Sequence, residues 1–236
     1  MNKQLFVFDV AGTLVDKGSR APIIAFQKAF SNHGFFPTEE EIKESMGKSK
    51  LEHIKDILTY IWSPPLGEDI NVWQSLVNDI YESFKKHIIP AVKETNEPIE
   101  GVVEALEKLH AVGHAIAFTT GYNEPTAHIA LEKLDNQLSF TVPLTTSSDS
   151  PGRPTPHMIY HSMLLTNTND IKDVWKIGDT MSDRESASNA GIPFYRNITF
   201  ETGNTPNGFG HVKNMKMLLE YFHRDYPIGK FYEPLV

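Results

Sequence analysis

Cysteine is absent from this chain of 236 residues, which excludes disulfides, thiolate metal sites and a cysteine nucleophile. Long apolar runs are absent too. No stretch can span a bilayer, and residues 1–4 run straight into a strand, so no signal peptide is expected and the cytoplasm is the default location. Positive charge is scarce, with 22 Lys and Arg against 30 Asp and Glu for a formal net charge of −8. That balance argues against a broad nucleic-acid face, so an anionic substrate must be drawn by local groups or a metal ion. Internal repeats and low-complexity tracts are missing as well. What remains is an ordinary globular composition, 40% hydrophobic and 22% charged, long enough for one or two domains.

The chain is organised around its first strand and turn, Leu5-Phe6-Val7-Phe8-Asp9-Val10-Ala11-Gly12-Thr13. A continuous apolar run ending in a carboxylate reads as a strand buried in a parallel sheet. Open α/β sheets place their chemistry at that C-terminal edge, so Asp9 is expected to stand there, with backbone N–H groups of the Gly12 turn free for an anion. Residues 17–98 read as an all-helical insert. Helices are expected over 23–33, from the capping box Thr38-x-x-Glu41, from Ser49 through Ile61, and over 70–87, with a return linker at 90–98. From residue 99 helices and strands alternate, with strands expected at 115–118, 140–142, 174–177 and 194–195, implying βαβ units. The reading is an α/β, Rossmann-like core of residues 1–16 and 99–236, interrupted by a helical cap of residues 17–98.

Three further turns carry polar groups. Thr119-Thr120-Gly121-Tyr122 offers hydroxyls to phosphate oxygens, and Arg153 in Gly152-Arg153-Pro154 offers a fork to an anion. Gly178-Asp179-Thr180-Met181-Ser182-Asp183 puts two carboxylates four apart on a tight turn, which suits Mg2+. Each turn alone has a structural explanation as a cap or loop. Their joint occurrence at strand ends, in this order, favours chemistry.

In the insert, Met46, Lys50, His53 and Ile54 fall near one helical face. A lysine among apolar residues can lose its proton and form a Schiff base with an aldehyde. Lys48, two residues earlier, has to be kept apart from it.

These motifs resemble the haloacid dehalogenase superfamily. Within it, Asp-x-Ala-Gly-Thr at Asp9 and Met-Gly-x-x-Lys-x-x-His at Met46, Gly47, Lys50 and His53 resemble the phosphonoacetaldehyde hydrolase family. The resemblance runs from Leu5 to about Gly191. It implies Asp9 as nucleophile and Lys50 as Schiff-base residue, with His53, Met46 and Tyr122 handling protons around the lysine. It implies Gly12, Thr13, Thr120, Gly121 and Arg153 around the phosphoryl group. Asp9, the Ala11 carbonyl and Asp179 would hold Mg2+, with Asp183 in direct or outer contact. It also implies a homodimer joined through the caps. Phosphatases of the superfamily usually carry a second aspartate where this chain has Ala11, so an alkoxide would leave without its general acid. A hydrolase acting on another small phosphonate or phosphate without an imine is the alternative, and a non-catalytic phospho-ligand sensor a third. The chain departs from the family at Thr146-Ser147-Ser148-Asp149-Ser150-Pro151, where one carboxylate stands instead of a pair, and beyond residue 196.

Overall fold

The computed structural model describes residues 3–62, 70–193, 196–200, 211–212 and 214–223. Its centre is a six-stranded parallel sheet in the order β3-β2-β1-β4-β5-β6. Strands β1 (Leu5–Asp9), β2 (Ala115–Thr119) and β3 (Leu144–Thr145) build one half, and β4 (Val174–Gly178), β5 (Asn197–Phe200) and β6 (His211–Val212) the other. All five residues of β1 are buried, because helices cover both faces. Phe6 and Phe8 pack with Phe118 and Leu106 on one side, while Leu5 and Val7 meet Ala117, Ile159 and Val174 on the other. The chain builds outward through β2 and β3, then returns to place β4 on the opposite flank of β1. The crevice between the C-terminal ends of β1 and β4 is therefore the topological switch point, where such sheets bind ligands.

Four helices leave the sheet after β1: α1 (Arg20–Ser31), α2 (Glu39–Glu44), α3 (Lys50–Ile61) and α4 (Ile70–Thr95). Thr38 and Glu41 form the capping box of α2, and Ser49 caps α3 by accepting from the Glu52 N–H. Phe26 of α1 packs on Phe84 of α4 with ring centroids 4.4 Å apart. The chain returns beside its point of departure, since Val15 pairs with Pro98 and the Ile99 N–H donates to the Leu14 carbonyl at 2.8 Å. Helices α5 (Val102–Ala111), α6 (Glu124–Asp135), α7 (His157–Leu165), α8 (Met181–Ala190) and α9 (Met215–His223) complete the sheet's covering.

Two expectations are corrected. Helix α4 runs through Pro90 to Thr95 where a linker from Pro90 was expected. Ile88, Ala91 and Val92 are buried around the proline, and their packing outweighs the roughly 3 kcal/mol cost of proline in a helix. No strand forms at 140–142, because Phe140 stacks on His110 of α5 with centroids 3.8 Å apart, and pairing begins only past Pro143. Where the chain departs from the family beyond residue 196 it forms β5, whose buried Ile198 pairs with Ile177. The strand expected at 194–195 lies outside the described residues.

Candidate active site

Asp9 ends β1 and is buried, as the register with Thr119 at the end of β2 requires. Asp179 and Asp183 come from the turn after β4 and the first turn of α8. One oxygen from each of these three aspartates lies within 4.8 Å of the others, a spacing that could hold a metal ion. Thr13 Oγ1 donates to Asp179 Oδ1 at 2.9 Å, so its hydroxyl orients a carboxylate. The Gly12 N–H, expected to be open to an anion, instead donates to the Val15 carbonyl at 2.8 Å and closes the turn. The Ala11 carbonyl accepts from Ser19 Oγ at 3.2 Å and keeps a second lone pair.

Two buried cations face these three acids. Arg153 Nη1 donates to Asp183 Oδ1 and stands 2.7 Å from Asp9 Oδ1. The second contact lacks hydrogen-bond geometry, so Asp9 Oδ1 and Arg153 Nε are both buried without a hydrogen-bond partner. Lys176 Nζ pairs with Asp183 Oδ1 at 2.7 Å and donates to the Ile177 carbonyl at 3.2 Å. Burial pushes the Asp183 carboxyl up, but the charges of Arg153 and Lys176 outweigh it and hold Asp183 below the usual range. Asp9 is raised by burial despite Arg153. Asp179 is raised well above the usual carboxylate range, by burial first and then by the charges of Asp9 and Asp183. Three acids thus share two cations, and Asp9 Oδ1 is left buried without a hydrogen-bond partner. This donor set fits a hard divalent cation.

Thr120 is buried after β2, and its Oγ1 accepts from the Tyr122 N–H at 3.2 Å, leaving its own O–H as a donor. Gly121 lies beneath the cap, where an added Cβ would come 2.9 Å from the Lys48 carbonyl. Gly47, at φ +88°, is pressed on Thr180, and a Cβ there would sit 2.5 Å from its hydroxyl. The cap turn 46–50 thus rests directly on the core turns that carry the site.

Lys50 opens α3 and comes down beside Tyr122, its Nζ 5.2 Å from the Tyr122 ring centroid and 5.7 Å from that of Phe26. Among the described residues no carboxylate comes within ion-pair distance of it. Burial and then the nearby Arg153 charge lower its pKa to about 8, against the opposing pull of Asp9 and Asp16. Lys48 differs in every respect, pairing with Asp56 at 2.7 Å in partly exposed surroundings. Tyr122 is buried with its hydroxyl unpartnered. His53 is fully buried against Phe26, and its Nε2 lies 2.6 Å from the Ile42 carbonyl. A carbonyl only accepts, so Nε2 carries the proton and Nδ1 is left as an unpartnered acceptor. Burial, then the Lys50 charge, push His53 down to about 3, so it is neutral.

Two cavities flank the site. One of about 400 Å3 is lined by Lys50, Gly121, Tyr122, Phe84 and Ile88. The other, about 590 Å3, is lined by Ser19, Met46, Asp179 and Thr180, so Met46 faces the carboxylate side. Lys176, Ser19 and Thr180 also belong to the site, although the motifs do not single them out. A lysine inside the apolar run Val174-Trp175-Lys176-Ile177 was the available signal, because a charge in a buried strand needs a partner.

The family model described as haloacid dehalogenase-like hydrolase matches residues 6–196. The phosphonoacetaldehyde hydrolase of Parabacteroides distasonis is 35% identical over 79% of this chain and 72% of its own length. The chain belongs to the phosphonoacetaldehyde hydrolase family of haloacid dehalogenase-like hydrolases. The family member of Bacillus cytotoxicus is 33% identical over 81% of this chain and 74% of its own. A bifunctional phosphonoacetaldehyde hydrolase/aminoethylphosphonate transaminase of Clostridioides difficile is 35% identical, and this chain spans 30% of its length. Among solved structures, a phosphonoacetaldehyde hydrolase-like protein from Oleispira antarctica superposes with a TM-score of 0.71 at 27% identity, over 84% of this chain and 71% of that one. Among the described residues no helix is long and apolar enough to cross a membrane.

Proposed function

We propose that this chain hydrolyses phosphonoacetaldehyde to acetaldehyde and phosphate, with Lys50 addressing the carbonyl and Asp9 the phosphorus. The carrying observation is the Lys50 amine, placed against two aromatic rings without a carboxylate partner, its pKa lowered to about 8 beside the Asp9 centre. A free amine adds to the aldehyde and loses water to give an iminium. An Asp9 oxygen then attacks phosphorus, and the C–P bonding pair moves into the iminium, leaving an enamine on Lys50 and a phosphoryl group on Asp9. Protonation and hydrolysis of the enamine release acetaldehyde, and water releases phosphate from Asp9. Because the leaving carbon departs as an enamine, no acid is needed at Ala11.

Other residues follow from their placement. Arg153 and the Thr120 hydroxyl bind the phosphoryl oxygens. Neutral His53, through Nδ1, and the Tyr122 hydroxyl serve the protons near Lys50. Asp9, Asp179 and the Ala11 carbonyl would hold Mg2+, with Asp183 beside it. When bound, that ion neutralises charge on the phosphoryl oxygens. A homodimer joined through the caps remains part of this proposal.

The test is product analysis. Incubation with phosphonoacetaldehyde should yield acetaldehyde and phosphate in equal amounts, with phosphate esters turned over far more slowly. Faster release of phosphate from esters, with no acetaldehyde formed, would reject the assignment.

A further inference from the structure

Lys176 occupies a position that ion pairing alone does not explain. Strand β4 carries it into the middle of the sheet, where it is 1% exposed and beyond the reach of solvent. Asp183 already has two hydrogen-bond donors there, Arg153 on Oδ1 and Thr180 Oγ1 on Oδ2 at 2.5 Å. Asp9 Oδ1 and Arg153 Nε, by contrast, have no hydrogen-bond partner. The partners are thus crowded on Asp183 and lacking where a phosphoryl group would enter.

Arg153 spans Asp9 and Asp183, and it cannot turn its fork to a phosphoryl group while it is the sole cation of a buried carboxylate. Stripping a buried charge of its partner is strongly unfavourable, which keeps the guanidinium in place. A second cation on the same oxygen removes that obstacle. We propose that Lys176 is a positioning residue, holding Asp183 neutralised so that Arg153 is released to bind the phosphoryl oxygens. This rests on the phosphoryl half of the proposed function and not on the imine.

The test is a double-mutant cycle read by calorimetric titration of the full chain with inorganic phosphate, at Mg2+ concentrations shown to saturate each variant. Lys176→Met should weaken phosphate binding about tenfold or more, because Arg153 stays on Asp183. In an Asp183→Asn background, the same change should alter phosphate affinity less than twofold, since there is no longer a carboxylate to hold Arg153 back. A purely structural lysine would not show this dependence on residue 183. Where Lys176→Met does not fold, Lys176→Gln, which keeps a donor for the Ile177 carbonyl, runs the same cycle. Unchanged phosphate affinity in the single variant overturns the proposal. An equal loss in both backgrounds overturns it too, because Lys176 would then attract phosphate directly by its charge. Absence of phosphate binding by the unaltered protein strikes the phosphoryl reading itself and is told apart by that control.

Discussion

The two halves of the site treat charge in opposite ways. At the sheet edge, Asp9, Asp179, Asp183, Arg153 and Lys176 crowd together and are buried, with ion pairs linking all but Asp179. In the cap, Lys50 lies against aromatic faces without a carboxylate partner, and burial lowers its pKa to about 8. A dense, nearly balanced field suits a phosphoryl group, whose charge is large and must be met. A desolvated amine suits a carbonyl, which only a neutral nitrogen attacks. In the proposed function, phosphorus is accordingly handled in the core and carbon in the cap.

The strongest way to break this division is at its core end. Asp9→Asn should lower kcat/KM by about 10⁴-fold or more, the scale seen when a covalent nucleophile is lost. Steady-state acetaldehyde release measures it, and the Lys50 imine should still form. At the cap end, Lys50→Arg keeps a cation but cannot form an imine. Turnover should fall about 10³-fold, roughly 4 kcal/mol of barrier, while calorimetric phosphate affinity stays within a few fold.

A pH profile sharpens the contrast without mutation. Burial lowers the Lys50 pKa to about 8, so the neutral amine gains as pH rises. Activity should climb about tenfold per unit below that value and level off above it. A profile flat between pH 6 and 8 contradicts a lysine nucleophile.

Gly47→Ala tests how the two halves meet. At φ +88° an alanine costs about 1–2 kcal/mol wherever the cap sits, and its Cβ meets Thr180 only when the cap is down on the core. The fall in kcat/KM, of order tenfold, should therefore exceed what the loss in melting temperature accounts for. The smallest effect belongs to Lys48→Met. Its partly exposed pair with Asp56 contributes at most about 1 kcal/mol, and turnover should change less than twofold.

How much of this was legible in the chain varied with the kind of signal. Asp9, Asp179 and Arg153 could be read because each follows an apolar strand or stands in a distinctive turn, and a parallel sheet gathers such ends at one edge. Lys50 shares a helix with His53 and Ile54 as its spacing suggested, whereas Met46 and Lys48 lie in the turn before α3, so the expected placement of Met46 on the same helical face does not hold. Pro90 misled because its local cost is real, yet the packing of Ile88 and Val92 that overrides it is set by α1, more than fifty residues away. The Gly12 N–H was misjudged because the sequence does not show that Val15 closes the turn. Lys176 was passed over because only the three-dimensional meeting of β4 with α8 brings Asp183 to it. Partners from distant segments are what periodicity does not carry.

The most direct measurement is borohydride reduction of the protein in the presence of phosphonoacetaldehyde, with the adduct located by mass spectrometry. A reduced two-carbon adduct confined to Lys50, and lost in Lys50→Arg, is the predicted result. Undiminished acetaldehyde release from a protein that lacks Lys50, or an adduct confined to some other lysine, would contradict the division of labour between cap and core.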